Sequence, residues 1–424
     1  MTSISEKYAS RKISMKLIVG FLSDIYHSGK ITELVSFAFW ELKYQLRFYK
    51  AHEFVNFLDD TPLHTVVAID KISIKNDSFC TVNCKYNWVK ICLSNSNIFF
   101  GSTYNNPSVL LRSLNGSSPE KCFEFSNRIE SIFIDKLDNL FVCSGGILFK
   151  SKANKINFKK VLKFSTPTSY FRPESITENL KGDLFIGEYA NNKDGKKWVF
   201  VGFIYHSIDN GNTWSKTDFL SKEGINKHIH ILKWSKRLKA LIMTEGDNKK
   251  GIWVNKSFNR FNTPSQNPNL GWRKVNSRHI DKGGYTAIIE VNEKIIFGTD
   301  YYGGTNFLVS TTDLKLFNSK VMPDPYRRSM ISRMVIRRDK NGTKEIWANL
   351  YFRDSKSVKS LLMLSIDCGS TWQRVIEYDA TQYEVDIISD SINFKNNVYI
   401  SIQDREKKFA KTFCITNTEE NSKY

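Results

Sequence analysis

The first part of the chain, residues 5–57, carries its apolar side chains at helical spacing. Leu17, Phe21 and Ile25 recur every four positions, and no proline interrupts the stretch. We therefore predict two helices, over about residues 10–27 and 31–56. Further apolar positions and the accompanying basic residues are Leu34, Phe37, Leu42, Leu46 and Phe48, with Lys12, Lys16, Lys43, Arg47 and Lys50. Such a basic, aromatic face could lie in a membrane interface, but packing of the aromatic side chains onto the following domain is favoured.

From residue 63 onward the pattern changes to the alternation of β-strands. One apolar strand, in which a small residue is followed by polar or aromatic residues, occurs seven times. Its copies are NIFFGSTY (97–104), NLFVCSGG (139–146), DLFIGEYA (183–190), ALIMTEGD (240–247), IIFGTDYY (295–302), EIWANLYF (345–352) and NVYISIQD (397–404). Their aligned small residues lie 42 to 57 residues apart, which is the length of a four-stranded propeller blade.

The predicted fold is therefore all-β, a seven-bladed β-propeller over residues 61–424 that follows a helical segment over residues 1–60. Each repeated strand is expected to be the second strand of its blade. The segment 63–82 is also strand-like. We predict that it closes the ring by joining the C-terminal blade, since closure removes exposed sheet edges.

An eight-residue motif occurs twice, as SIDNGNTW (207–214) and SIDCGSTW (365–372). Both copies are expected in the hairpin between the third and fourth strands of a blade. They resemble the Asp box, Ser-x-Asp-x-Gly-x-Thr-Trp, so residues 63–424 resemble the Asp-box (BNR) propellers, a group that includes the sialidases. The motif residues are Ser207, Asp209, Gly211, Thr213, Trp214, Ser365, Asp367, Gly369, Thr371 and Trp372. We interpret the box as a structural clasp, on the face opposite the starts of the first strands.

The other face collects the starts of first strands and the ends of second strands around the channel, where propellers usually bind ligands. Arginines, tyrosines, carboxylates and histidines occur at these positions, a set that suits a sugar bearing a carboxylate. The ligand-binding candidates are Arg172, Glu174, Glu188, Tyr189, His228, His230, Asp247, Arg278, Asp300, Tyr301 and Tyr351.

The stretch Phe171-Arg172-Pro173 resembles the sialidase Arg-Ile-Pro segment, which implies that Arg172 binds a carboxylate. The residues expected after the next strand are replaced by Tyr189-Ala190-Asn191-Asn192. Binding without hydrolysis is therefore favoured. The alternative is a glycan-cleaving enzyme, either a glycosidase with a carboxylate pair such as Glu188 and Asp300 or a histidine-dependent lyase using His228, His230 and His279. No phosphate loop or metal-ligand spacing is present, so neither a cofactor nor a metal is predicted.

Charge and cysteine content indicate the partner and the compartment. The 62 Lys and Arg against 43 Asp and Glu give a net charge of +19, which favours an anionic partner. The basic residues are spread along the chain, so an acidic oligo- or polysaccharide is expected rather than nucleic acid. Seven cysteines without a CxxC pair indicate a reducing compartment, so a cytoplasmic location is expected.

The layout of basic helices followed by a propeller resembles that of accessory proteins of acidic capsule biosynthesis, of the polysialic acid type. That resemblance implies a cytoplasmic factor in capsule or surface polysaccharide biosynthesis. It also implies peripheral contact of residues 5–57 with the inner membrane or with a glycan-assembly complex.

Overall fold

The computed structural model describes residues 14–27, 31–114, 118–194, 197–225, 227–245, 251–257, 260–261, 263–275, 284–301, 303–390 and 394–418. The predicted strand alternation is confirmed, because these residues form a seven-bladed β-propeller preceded by two helices. No helix in these ranges is long and apolar enough to cross a membrane.

Each blade is a four-stranded antiparallel sheet within the described residues, and its first strand faces the central channel. Blade one consists of β4 Trp88–Leu93, β5 Ile98–Thr103, β6 Val109–Leu114 and β7 Glu120–Glu124. Blade two consists of β8 Ile129–Ile134, β9 Asn139–Ser144, β10 Ile147–Lys152 and β11 Lys155–Lys163. Blade three consists of β12 Ile176–Glu178, β13 Leu184–Gly187, β16 Ile204–Ser207 and β17 Ser215–Thr217. A short hairpin, β14 Lys193–Asp194 and β15 Lys197–Trp198, is inserted in blade three.

Blades four to seven continue the same order. Blade four consists of β18 Ile229–Ser235, β19 Ala240–Glu245, β20 Ile252–Asn255 and β21 Arg273–Lys274, and blade five of β22 Gly284–Val291, β23 Lys294–Asp300, β24 Phe307–Thr311 and β25 Asn318–Val321. Blade six consists of β26 Met330–Arg338, β27 Lys344–Tyr351, β28 Ser360–Ser365 and β29 Thr371–Tyr378. Blade seven begins with β30 Tyr383–Ile387, β31 Val398–Asp404 and β32 Phe409–Thr416. All seven repeated segments of the sequence are second strands, as predicted.

The N-terminal strand closes the ring. Strand β3, Cys80–Asn83, pairs antiparallel with β32 and supplies the fourth strand of blade seven. Earlier in the chain, β1 (Asn56–Phe57) and β2 (His64–Thr65) pair in parallel with β29, the outer strand of blade six. The predicted closure is confirmed, although only the last part of the segment 63–82 takes part in it.

Several small residues of the second strands lie where the next blade packs closest. A Cβ added to Gly298 would lie 2.4 Å from Ile331 of blade six, so no larger residue fits without movement. At the equivalent place in blade four, the Thr244 hydroxyl donates to the Tyr285 carbonyl of blade five at 2.9 Å. Contact between blades therefore explains the small residue in these repeats, whereas an added Cβ on Gly101 of blade one would lie 2.2 Å from the Lys90 carbonyl of its own first strand.

Both predicted Asp boxes lie in hairpins between third and fourth strands. Asp209 accepts hydrogen bonds from the backbone and hydroxyl of Thr213 at 2.9 and 2.7 Å, and from Ser207. These bonds, led by that of the Thr213 N–H, lower the pKa of Asp209 to about 2. Asp367 makes the corresponding bonds with Thr371. Each hairpin is therefore held by a carboxylate on the face opposite the starts of the first strands.

The helices are shorter than predicted. Helix α1 covers Met15–His27 and α2 covers Ile31–Gln45, whereas residues 10–13 lie outside the described residues. The prediction of a helix to residue 56 is wrong, because Arg47 adopts a left-handed conformation (φ 57°) and the Phe48 N–H bonds to the Lys43 carbonyl. Beyond this cap, Tyr49 and Phe54 pack with Trp40 against blade five.

We expect Asp209→Ala to lower the free energy of unfolding at neutral pH by about 1–3 kcal/mol, because several hairpin donors lose their acceptor. The carboxylate stabilises the fold above its unfolded-state pKa of about 3.9. That contribution is lost as pH falls toward the folded value of about 2. Urea unfolding across this pH range should show the difference between wild type and variant shrinking. Ile208→Ala, at a 77% exposed neighbour, is the control and should change little; a pH-independent difference would contradict the role of the charge.

Candidate functional site

The central channel contains a cavity of about 270 Å³. Six blades contribute to its wall, and its residues lie on first strands or in the segments beside them. The charged lining residues are Lys90 of blade one, Glu130 of blade two, Arg172 and Glu174 of blade three, Lys233 of blade four, Arg333 of blade six, and Asp386 and Asp390 of blade seven. Cations and carboxylates therefore face one another across a narrow space.

Two arginines flank one carboxylate in this cavity. The Nε atoms of Arg172 and Arg333 lie 3.8 and 3.6 Å from the oxygens of Glu174. These are ion pairs, but they are longer than hydrogen bonds. The other ends of the guanidinium groups donate to the backbone carbonyls of Ser332 and Ser389, at 3.1 and 3.0 Å. The carbonyl contacts fix both side chains across the channel.

Lys233 of blade four adds a third cation to the two arginines and reaches the backbone of blade three. Its ammonium donates to the carbonyls of Pro173 and Ile176 at 2.6 and 2.9 Å. Burial lowers the pKa of Lys233 to about 8, against the opposing effect of the Glu174 charge. Burial likewise lowers the pKa of Lys90, and Asp386 opposes that change. An additional negative charge in the cavity would therefore favour the protonated form of both lysines.

An aromatic and histidine group adjoins Arg172. The Arg172 guanidinium lies 5.5 Å from the Tyr189 ring centroid, and that ring lies 4.0 Å from His228. His228 Nδ1 donates to the Ala190 carbonyl, and its Nε2 lies 3.0 Å from Nε2 of His230. The proton between the two rings can belong to only one of them, so the pair carries at most one positive charge.

The lyase alternative depends on His228, His230 and His279, which would have to lie together to hold a metal ion. Within the described ranges, no group of three or more His, Cys, Asp or Glu side chains is arranged to hold a metal ion. The third histidine of that alternative, His279, and the candidates Asp247 and Arg278 all lie outside the described residues.

Glu188 lies apart from the cavity lining. The carboxylate is fully buried in blade three. One oxygen accepts hydrogen bonds from the backbone and hydroxyl of Ser165, and the other accepts from the Tyr205 hydroxyl at 2.6 Å. Its protein partners therefore account for a structural role, and they oppose its use as one member of a catalytic pair with Asp300.

The remaining candidates lie in two places on the same face. Tyr301 is buried below helix α2, where its ring stacks on Phe37 at 6.2 Å. Tyr351 accepts a hydrogen bond from Arg405, which also pairs with Glu384 at 2.6 Å. Asp300 ends the second strand of blade five. Burial lowers the pKa of Arg172, but the charge of Glu174, with smaller contributions that include Asp300, raises it overall. The structure thus groups Arg172, Glu174, Tyr189, His228 and His230, and it leaves Tyr301 and Tyr351 outside that group.

Several lining residues were missed by the sequence analysis. The predicted candidates lie at the starts of first strands and the ends of second strands. The additional residues lie within or just after first strands and are Lys90, Glu130, Lys233, Asp386 and Asp390. A detectable signal was present, because WVKICL and HILKW each contain one lysine inside an apolar strand and YEVDII contains two acidic residues. The alternation of side chains along a strand does not by itself show which of them face the channel.

Comparisons with known proteins support the fold. No protein-family profile and no curated protein matches the chain, whereas solved structures do. A chain of the mitotic checkpoint complex crystal structure is 11% identical, with a TM-score of 0.51, and the match covers 83% of this chain and 99% of that one. YCF48 from Cyanidioschyzon merolae is 12% identical (TM-score 0.48; 81% and 99% covered). The Pan2 WD40 domain of Neurospora crassa is 9% identical (TM-score 0.45; 82% and 98% covered).

At this level of identity the likeness shows a β-propeller and nothing finer. The resemblances to Asp-box sialidases and to capsule accessory proteins are not confirmed by these matches. They stay predictions.

We expect Lys233 to titrate near pH 8, about two units below an exposed lysine. Glu174→Gln should lower this midpoint further, because it removes a charge that favours the ammonium form. The measurement is NMR of ¹³C-dimethylated lysines, with Lys233→Met identifying the resonance. Glu124→Gln, at an exposed carboxylate on the outer strand of blade one, is the control. A midpoint near pH 10 would show that the ammonium is not enclosed as described.

Proposed function

We propose that the protein is a carbohydrate-recognising propeller that binds an acidic sugar in its central channel. The observation that carries the proposal is the convergence of Arg172, Arg333 and Lys233 from three blades on one cavity. Arg333 Nε is buried and has no hydrogen-bond partner within the described chain, since its contact with Glu174 is 3.6 Å long. A ligand carboxylate would satisfy that donor.

The carboxylates of the cavity suit the rest of such a ligand. Glu130, Glu174, Asp386 and Asp390 lie among the cations, and ionised carboxylates accept hydrogen bonds from hydroxyl groups. A simple anion would meet repulsion from these four groups. A molecule with one carboxylate and several hydroxyls would find partners for both, which favours a sugar acid over phosphate or sulfate.

The volume of the cavity limits the size of the ligand. At about 270 Å³ it lies just below the roughly 300–1,000 Å³ of pockets for drug-sized molecules. One sugar residue, such as the end or a single unit of an acidic glycan, fits this size better than an extended chain.

The wider proposal is an accessory, non-hydrolytic factor in capsule or surface polysaccharide biosynthesis, acting in the cytoplasm. The hydrogen bonds that occupy Glu188 support binding over the predicted Glu188–Asp300 catalytic pair. The seven cysteines are all free thiols, which supports a reducing compartment.

One observation favours glycan cleavage as a second candidate function. Glu384 and Asp386 lie two apart on one strand, so their side chains share a face. Burial, followed by the Asp386 charge, raises the pKa of Glu384. A carboxyl group with a raised pKa beside a second carboxyl group is an arrangement that glycosidases use. The Arg405–Glu384 ion pair opposes this role, because it stabilises the ionised form of Glu384.

The test is calorimetric titration of the full chain with glucuronic, galacturonic and N-acetylneuraminic acids, and with neutral glucose and N-acetylglucosamine. At least one acidic sugar should bind and the neutral sugars should not. Arg333→Gln and Arg172→Gln should weaken binding about 10- to 100-fold, the value of one or two charge-assisted hydrogen bonds. Arg112→Gln, at an ion pair on the third strand of blade one, is the control and should bind as wild type.

Product analysis of the corresponding oligosaccharide mixtures separates the two candidates. Release of shorter sugars, abolished by Glu384→Gln, would establish cleavage and overturn the non-hydrolytic proposal. Equal affinity for acidic and neutral sugars, or unchanged affinity of both arginine variants, would contradict recognition through the channel cations.

A further inference from the structure

The N-terminal helices expose two continuous rows of apolar side chains. On α1 the row is Met15, Ile18, Val19, Leu22 and Tyr26, with exposures from 42 to 77%. On α2 it is Ile31, Val35, Phe39, Leu42 and Leu46, with exposures from 44 to 61%. The members recur at intervals of three, four and seven residues, so each row follows one face of its helix. We refer to these ten residues as the apolar stripe.

The opposite side of α2 is fixed to the propeller. Glu41 pairs with Arg327 and with Arg328, the latter at 3.0 Å. Trp40 packs edge-on against Phe307 of blade five, with ring centroids 5.1 Å apart. The Tyr44 ring lies 4.1 Å from the Arg327 guanidinium. Because these contacts use the other side of the helix, the α2 part of the stripe is held away from the propeller.

Exposed basic residues flank the stripe, whereas Asp24 of α1, two positions from both Leu22 and Tyr26, lies on the other side of that helix. Lys16, Arg47 and Lys50 are exposed near the ends of the two helices. Of the nearby carboxylates, Glu41 is paired with the two arginines and Glu53 with Lys43 at 3.3 Å. The chain as a whole carries a net charge of +19. A partner that covers the stripe should therefore combine an apolar layer with negative charge.

We infer that the apolar stripe docks the protein on the surface of a bilayer that contains anionic phospholipids. Apolar side chains of both helices enter the boundary of the acyl chains, while the flanking lysines and arginine contact the head groups. Neither helix is long enough to cross a membrane, so both lie in the plane of the interface. This inference does not rest on the proposed sugar binding, because blade five and the helices contribute none of the charged cavity residues named above.

The test is co-sedimentation of the full chain with vesicles of phosphatidylcholine and phosphatidylglycerol, and with vesicles of phosphatidylcholine alone. Binding should be stronger to the anionic vesicles and should fall with added salt. The double variant Val35→Asp/Leu42→Asp should bind at least about tenfold more weakly, because two apolar side chains that would enter the bilayer are lost. Both positions are exposed, so the variant should unfold at the wild-type temperature.

The matched control is Ile208→Asp/Leu316→Asp. These residues are 77 and 81% exposed and lie in hairpins on the opposite face of the propeller, so vesicle binding should be unchanged. A second variant, Lys16→Gln/Arg47→Gln, should lose mainly the preference for anionic vesicles. Sugar binding by all three variants should equal that of wild type, which separates failure of this inference from failure of the proposed function.

Three outcomes would overturn the inference. They are no sedimentation above the vesicle-free level, equal sedimentation of the stripe variant and wild type, and a dimer by light scattering that the stripe variant abolishes. The last result would assign the apolar stripe to a second copy of this chain.

Discussion

Pairing of β3 with β32 is the interaction on which the rest of the structure depends. A propeller has no covalent link between its first and last blades, and an open ring would leave two sheet edges exposed. Here the chain supplies the missing strand of blade seven before it begins blade one. Residues 54–65 reach that position along the outer edges of blades five and six, through the bridge Phe54–Val321 and strands β1 and β2. Closure therefore also determines where the helices lie.

Closure creates the channel environment as well. Lys90 of blade one and Asp386 of blade seven are separated by most of the sequence, and only a closed ring makes their first strands neighbours. Buried charges are costly unless opposite charges accompany them. The cavity meets this requirement with cations and carboxylates drawn from different blades. Burial nevertheless lowers the pKa of Lys233 to about 8, against the Glu174 charge, so an added carboxylate would favour the protonated ammonium.

The sequence was sufficient for the parts of the fold that rest on local pattern. The second strands are detectable because several of their small residues, such as Gly187 and Gly298, accommodate the next blade. The Asp-box hairpins are detectable because Asp209 satisfies donors only a few residues away. The end of α2 was not detectable, because Leu42, Leu46 and Phe48 continue the apolar spacing past Gln45, while Tyr49 and Phe54 pack on blade five. Tertiary packing there overrides the periodicity.

The site was less predictable for a related reason. Arg172 and Glu174 were found because they precede a strand, where a loop charge is conspicuous. Lys233 lies inside a strand, and its direction toward the channel depends on the ring rather than on its neighbours in sequence. Glu188 was a candidate for its place at a strand end, but the hydroxyls of Ser165 and Tyr205 enclose it. Partners distant in sequence thus decide whether a charge is functional or structural.

The proposed sugar-binding cavity and the proposed membrane-binding stripe use largely different parts of the ring. Blades five and six bind helix α2 on the face that holds the ends of second strands, through Tyr301, Phe307 and the Arg327–Glu41 pair. The charged cavity residues come from the remaining blades together with Arg333 of blade six. A membrane that contacted the apolar stripe would therefore lie beside this face without using the groups that line the cavity. In that arrangement an acidic sugar carried at a membrane surface would reach the channel from the side on which the protein is held.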